Sequence, residues 1–120
     1  MARFLVHIHS GPEAPNKATL GLLVAVEAAR AGHAVTVFLA GDGVAVLPPD
    51  IRSDVKGLGT GDVATHLADL AASGARLVVS RRSTEARGIV PEVVAGVGGE
   101  PGTPAMLVEI AAAADTVLCY

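Results

Sequence analysis

A chain of 120 residues has room for one hydrophobic core, so residues 1–120 are expected to form a single domain. Half of the residues are hydrophobic and mean hydropathy is +0.52, which excludes a disordered chain. A net charge of −3 with three aromatics, Phe4, Phe38 and Tyr120, supplies neither the basic surface nor the stacking platforms of a nucleic-acid binder.

The first segment, "RFLVHIH" (3–9), is bulky and apolar and stops at "SGP", which predicts a strand. One basic residue, Arg3, followed by strand-like sequence does not fit a secretory leader. After the loop "GPEAPN", Asn16 is a candidate N-cap for a helix over 17–31 that ends at Gly32, a residue suited to C′. That helix carries only Lys17, Glu27 and Arg30 as charges. A helix apolar on most sides needs cover, and in so short a chain the expected cover is a second copy, so a homo-oligomer is predicted.

"HAVTVFLA" (33–40) predicts the second strand, ended by "GDG", with a short helical turn over "VAVL" stopped by "PPD". The segment 51–61 reads as irregular. Its "GLGTGD" lacks the Lys-Ser/Thr of a phosphate-binding loop and follows no strand, so no nucleotide and no resident cofactor is expected. Asp62 is expected to cap a helix running to Gly74. "ARLVVS" (75–80) predicts a third strand, followed by a short helix over 83–88 with Ser83 as its cap. The stretch 90–102 is ambiguous, part of it compatible with a strand and its end with a loop. Thr103-Pro104 has the chemistry of a helix start, the helix reaches about Ala114, and "DTVLCY" forms a last strand.

Strands that are continuous apolar runs, alternating with helices, predict a three-layer α/β/α sandwich around a mostly parallel sheet of about five strands. No stretch approaches the roughly 20 apolar residues of a membrane span, and the expected setting is cytoplasmic. In an open parallel sheet, ligands bind beyond the carboxyl ends of the strands. That rule collects His9, Ser10, Asp42, Ser80, Arg81, Arg82, Ser83, Cys119 and Tyr120 as candidates, and Arg87 lies close by in the same short helix.

Ser80 at a strand tip has the position of a nucleophile, yet G-x-S-x-G is absent. A hydrolytic site would need His9 and Asp42 to complete it. Ser83 serves more simply as a cap, while Arg81, Arg82 and Arg87 beside a helix start offer a small anion its counter-charges. His7 and His9 share one face of a strand. That is an arrangement for two metal ligands, with Glu13, Asp42 or His66 as a third, although no metal is expected from so weak a motif. Cys119, the lone cysteine, excludes a disulfide framework and a cysteine zinc cluster. In a strand interior it is expected to be inert.

The ordered set "RFLVHIHSGPE", "GHAVTVFLAGDGV", "GTGDVATHLADLAASGARLVVS", "SRRSTEARGI" and "AADTVLCY" resembles the DsrE/DsrF-like family, which includes TusD-type subunits of bacterial sulfur relays. The resemblance implies a parallel α/β sandwich, assembly as trimers or hexamers, and a sulfur-relay partner protein. It also implies a persulfide-bearing cysteine seven residues before the Arg-Gly pair, with a second cysteine in some relatives three residues further on. In this chain the pair is Arg87-Gly88, and both cysteine positions, Ser80 and Ser83, are serine. The resemblance thus implies a member without the family's sulfur nucleophile, with Cys119 left as a minority substitute.

Overall fold

The computed structural model describes residues 1–120. The strands β1 (Arg3–Ile8), β2 (Ala34–Leu39), β5 (Arg76–Ser80), β6 (Gly99–Gly102) and β7 (Thr116–Cys119) form one sheet in the order β6-β5-β2-β1-β7. All its pairings are parallel. From β1 through β2 and β5 to β6 the chain steps always in one direction across the sheet. Right-handed crossovers of one direction place their helices on one face. Thus α1 (Pro15–Arg30), α3 (Val63–Ser73) and α5 (Pro91–Gly96) share a side. The return from β6 to β7 runs the other way and puts α6 (Pro104–Ala113) alone on the opposite face.

The two sides are unequal. The first holds a core of 20 buried residues, with Val6, Ile8, Leu22, Val26, Val37 and Leu39 among them. The α6 side holds three, Leu5, Phe38 and Val78, with Met106, Leu107 and Ile110 half-covered against them.

Between β2 and α3 the chain makes a 3-10 turn (Gly41–Val46), a one-turn helix α2 (Pro49–Arg52) and a small antiparallel hairpin, β3 (Lys56–Gly57) and β4 (Gly61–Asp62). The sequence gives this hairpin no apolar run, which is why the segment reads as irregular. It packs on α1: the Thr19 and Thr60 hydroxyls are 2.7 Å apart, and the Leu58 N–H donates to Asn16 Oδ1 at 2.8 Å. Gly57 permits that approach, since a Cβ there would collide with Thr19 and Thr60 Oγ1. Asn16 is therefore no cap; α1 begins at Pro15, without a side-chain cap.

The hairpin and α3 cover much of α1, and Ala18, Leu22, Ala25 and Val26 are buried within the chain itself. The apolar character of α1 hence gives no reason for a second copy. The helix lacking cover is α6, none of whose residues is buried.

Two further expectations change. The short helix after β5 is α4 (Arg81–Ala86), and its cap is Ser80 rather than Ser83, because strand runs into helix with no loop between them. The end of the ambiguous stretch is the edge strand β6, paired to β5 from Leu77↔Gly99 to Ser80↔Gly102. Its residues, "GEPG", carry no strand-forming side chain. Asp62, Thr103 and Gly74 end or begin helices as expected, Gly74 with φ +78°.

Candidate functional site

Two loops and the start of α4 meet at the carboxyl ends of β1, β2 and β5. The first is His9–Gly11, with Ser10 buried and His9 exposed. It touches the second backbone to backbone: a Cβ on Gly11 would collide with the Asp42 carbonyl. The second, Gly41–Asp42, is tied to α4 at two points. The Gly41 N–H donates to Ser83 Oγ at 2.8 Å, and Arg87 donates to Asp42 Oδ1 at 2.8 Å. Arg87 also donates to the Ser83 carbonyl at 3.1 Å. Ser80 Oγ accepts the Ser83 N–H at 3.2 Å, closing the first turn of α4.

These bonds decide what each side chain has to offer. Ser80 is buried and occupied as a cap, and His9 bonds to neither Ser80 nor Asp42, so the serine has no base in contact. Asp42 and Arg87 largely neutralise each other. The unpaired guanidinium at the start of α4 is that of Arg82. Arg81 is held to Glu85 in an exposed pair at 2.9 Å, and Arg82 is exposed and joins none of the five ion pairs.

His7 and His9 do share a face, their ring centroids 5.7 Å apart. The other proposed ligands are engaged elsewhere. Glu13 accepts the Gly11 N–H at 2.8 Å, and His66 Nε2 donates to the Thr60 carbonyl at 2.7 Å. No three His, Cys, Asp or Glu side chains are grouped to hold a metal ion.

Cys119 differs from its expectation. It is exposed, because β7 is an edge strand whose alternate residues face the thinly covered α6 side. In register it sits beside His7. Burial, and secondarily the nearby charge of His9, lower the pKa of His7 below 6.5.

Two cavities flank α4 on the β6 side. One, of about 400 Å³, lies among Val79, Ile89, Val94 and Gly99 with Arg81 and Glu85 at its edge. The other, of about 590 Å³, lies between Arg81, Arg82 and the start of α6. Of the candidates named from the sequence, Arg81 lines both and Arg82 the second. Ile89, Val94 and Gly99 escaped notice because nothing in the sequence placed α5 and β6 opposite α4.

A parallel sheet between helical layers, with strand-end loops laced to a short helix, defines an open α/β sandwich whose candidate site lies at the carboxyl edge of the sheet. The chain belongs to the DsrE/DsrF-like family, whose model matches residues 2–120. Its fold is similar to that of the ychN protein from E. coli, at 22% identity and a TM-score of 0.81 over 100% of both chains. It is also similar to a conserved protein of unknown function, BT1422, from Bacteroides thetaiotaomicron. There the identity is 13% and the TM-score 0.74, over 99% of this chain and 95% of that one. No curated protein is similar enough in sequence to match. No helix is long and apolar enough to cross a membrane.

Proposed function

We propose that this chain is a DsrE-type protein that does not carry sulfur at the family position and acts instead as a homo-oligomeric module, a trimer or hexamer, binding a small anion or a partner protein at the strand ends. The observation that carries this reading is Ser80: the side chain at the tip of β5 is a hydroxyl, spent on the Ser83 N–H. A persulfide forms when a thiolate attacks the sulfane sulfur of a donor and the donor's thiol leaves. A serine hydroxyl at neutral pH is neither ionised nor able to hold that sulfur. What supports ligand binding is the lacing of the loops around Asp42, Ser83 and Arg87, with His9 and Ser10 alongside, the exposed Arg81–Glu85 pair at the rim and the unpaired charge of Arg82 next to it.

A second reading has one observation in its favour. Cys119 is exposed beside His7, so a thiol is accessible, though on β7 rather than at the family position. Intact-mass measurement after incubation with a small-molecule persulfide separates the two. The native protein is expected to gain no sulfur. Ser80→Cys combined with Cys119→Ala is expected to gain one, since the thiol then lies at the first N–H groups of α4, where thiolate is favoured. A sulfur on the native protein that Cys119→Ala removes would replace the first reading with the second.

A further inference from the structure

We infer that the cleft between α4, α5 and β6 is a binding site for a small amphipathic carboxylate, with its hydrocarbon tail among the aliphatic side chains and its charged end at Arg81. This goes beyond the reading above and shares only the Arg81–Glu85 pair and Arg82 with it. It holds whether or not Ser80 has lost a sulfur-carrying role.

The cleft exists because the chain runs short of side chain there. Between α4 and α5 the sheet presents Val79 from β5 and, from β6, only Gly99 and Pro101. The space of about 400 Å³ is within the range of small-molecule sites, roughly 300–1,000 Å³. Its inner surface is aliphatic: Val79 and Val94 are 1% and 7% exposed, and Ile89 is half-buried. The bottom is closed, since a Cβ on Gly99 would come within 3.0 Å of Val94 Cγ1 and 3.2 Å of Val79 Cγ2. The one buried polar side chain in the lining, Thr84, already donates its hydroxyl to the Arg81 carbonyl at 2.9 Å, so an otherwise aliphatic space of this size takes a hydrocarbon chain in preference to a polar ligand.

The mouth has the opposite character. Arg81 and Glu85 line this cleft and also the neighbouring cavity, where Arg82 joins them. The Arg81–Glu85 pair is mostly exposed, with side chains 71% and 63% accessible. Such a pair is worth little to the fold, so Arg81 can turn from Glu85 to a ligand carboxylate at small cost. Arg82, in no ion pair, keeps the local charge positive. An apolar floor with guanidinium groups at one end is complementary to an anion carrying a tail. A neutral hydrocarbon would not use the arginines, and a small bare anion would not use the cleft.

Titration of isotope-labelled protein with octanoate, hexanoate and 1-octanol, followed by amide chemical shifts, tests this. Octanoate is expected to bind saturably and to shift Val79, Ile89, Val94 and Ala95. Removing each methylene is expected to weaken it about fourfold. Arg81→Gln is expected to weaken octanoate about tenfold and leave 1-octanol unchanged. Ala95→Trp, which fills the cleft from its exposed rim, is expected to abolish both. Ala95 and Arg81 are exposed, so neither substitution disturbs the core. Shifts confined to the α6 face, equal affinity for octanoate and 1-octanol, or indifference to Arg81→Gln would each overturn the assignment. None of these readouts depends on sulfur transfer, so failure here leaves the reading of Ser80 untouched.

Discussion

His7 stands in register between Phe38 of β2 and Cys119 of β7. Its ring meets Phe38 edge-on at 5.9 Å, and its Nε2 is buried with no hydrogen-bond partner. Desolvation is the first reason its pKa lies below 6.5, and the charge of His9 the second. The sign of the effect on stability follows. Below pH 6.5 the unfolded chain takes up a proton that the folded state refuses, so stability rises with pH in this window. The contribution of the neutral ring is present above 6.5 and is lost as pH falls through the lower, folded value. Denaturant unfolding at pH about 7.5 and about 5, on either side of the ordinary histidine value, is expected to show the native protein losing more stability on acidification than His7→Gln. Equal losses would mean that His7 is not held neutral by the fold. The sequence showed that His7 and His9 share a face, but which of them would be buried depended on the breadth of the helical layer above, which periodicity does not report. Ser80 and Ser83 are a similar case. Both are good caps, and the choice between them rests on whether a loop separates β5 from α4.

At the level of elements, α3 illustrates what local chemistry fixes. Asp62 ends β4 and begins α3, accepting the Thr65 N–H at 2.8 Å and the Thr65 hydroxyl at 2.9 Å. Those two bonds are the main causes that hold its carboxyl below 3.8. Asp62→Ala is expected to cost about 1 kcal/mol, read by denaturant unfolding at neutral pH, with Asp62→Asn costing less because its amide oxygen still caps. Similar costs for the two would show that the cap bond contributes little and that the hairpin itself holds the helix start. This cap, Thr103 and the four bulky apolar runs were legible because each is a local signal. The strand β6 was not. It is held by the backbone ladder to β5 and by the close fit of Gly99 to Val94, a tertiary cause with no side-chain signature. The hairpin over α1 was missed for the same reason, and with it the identity of the helix that lacks cover.

For the whole molecule, the handedness of the crossovers determines the unequal layers, and the thin layer bears on assembly. Helix α6 has Glu109 as its one charged residue and no buried side chain. Val108 is 68% exposed, and Val117 on the adjoining edge strand 44%. Helix α6 and the edge strand that follows it both leave apolar side chains uncovered, and exposed apolar surface of this kind marks an association surface. The strand β7 adds a row of unpaired backbone groups at the edge of the sheet, whereas the other edge, β6, is interrupted by Pro101. The oligomer that we propose is therefore expected to form through α6 and β7, with α1 left outside the contact. Light scattering at micromolar concentration is expected to give a trimer or larger. Val108→Glu, placing charge at the centre of an apolar contact, is expected to yield smaller species, while Leu20→Glu on the exposed side of α1 should leave the mass unchanged. The stability of the monomer should barely respond to either, since both side chains face solvent in the single chain. A native protein that scatters as a monomer would remove the oligomer altogether. An oligomer broken by Leu20→Glu and not by Val108→Glu would move its interface back to α1.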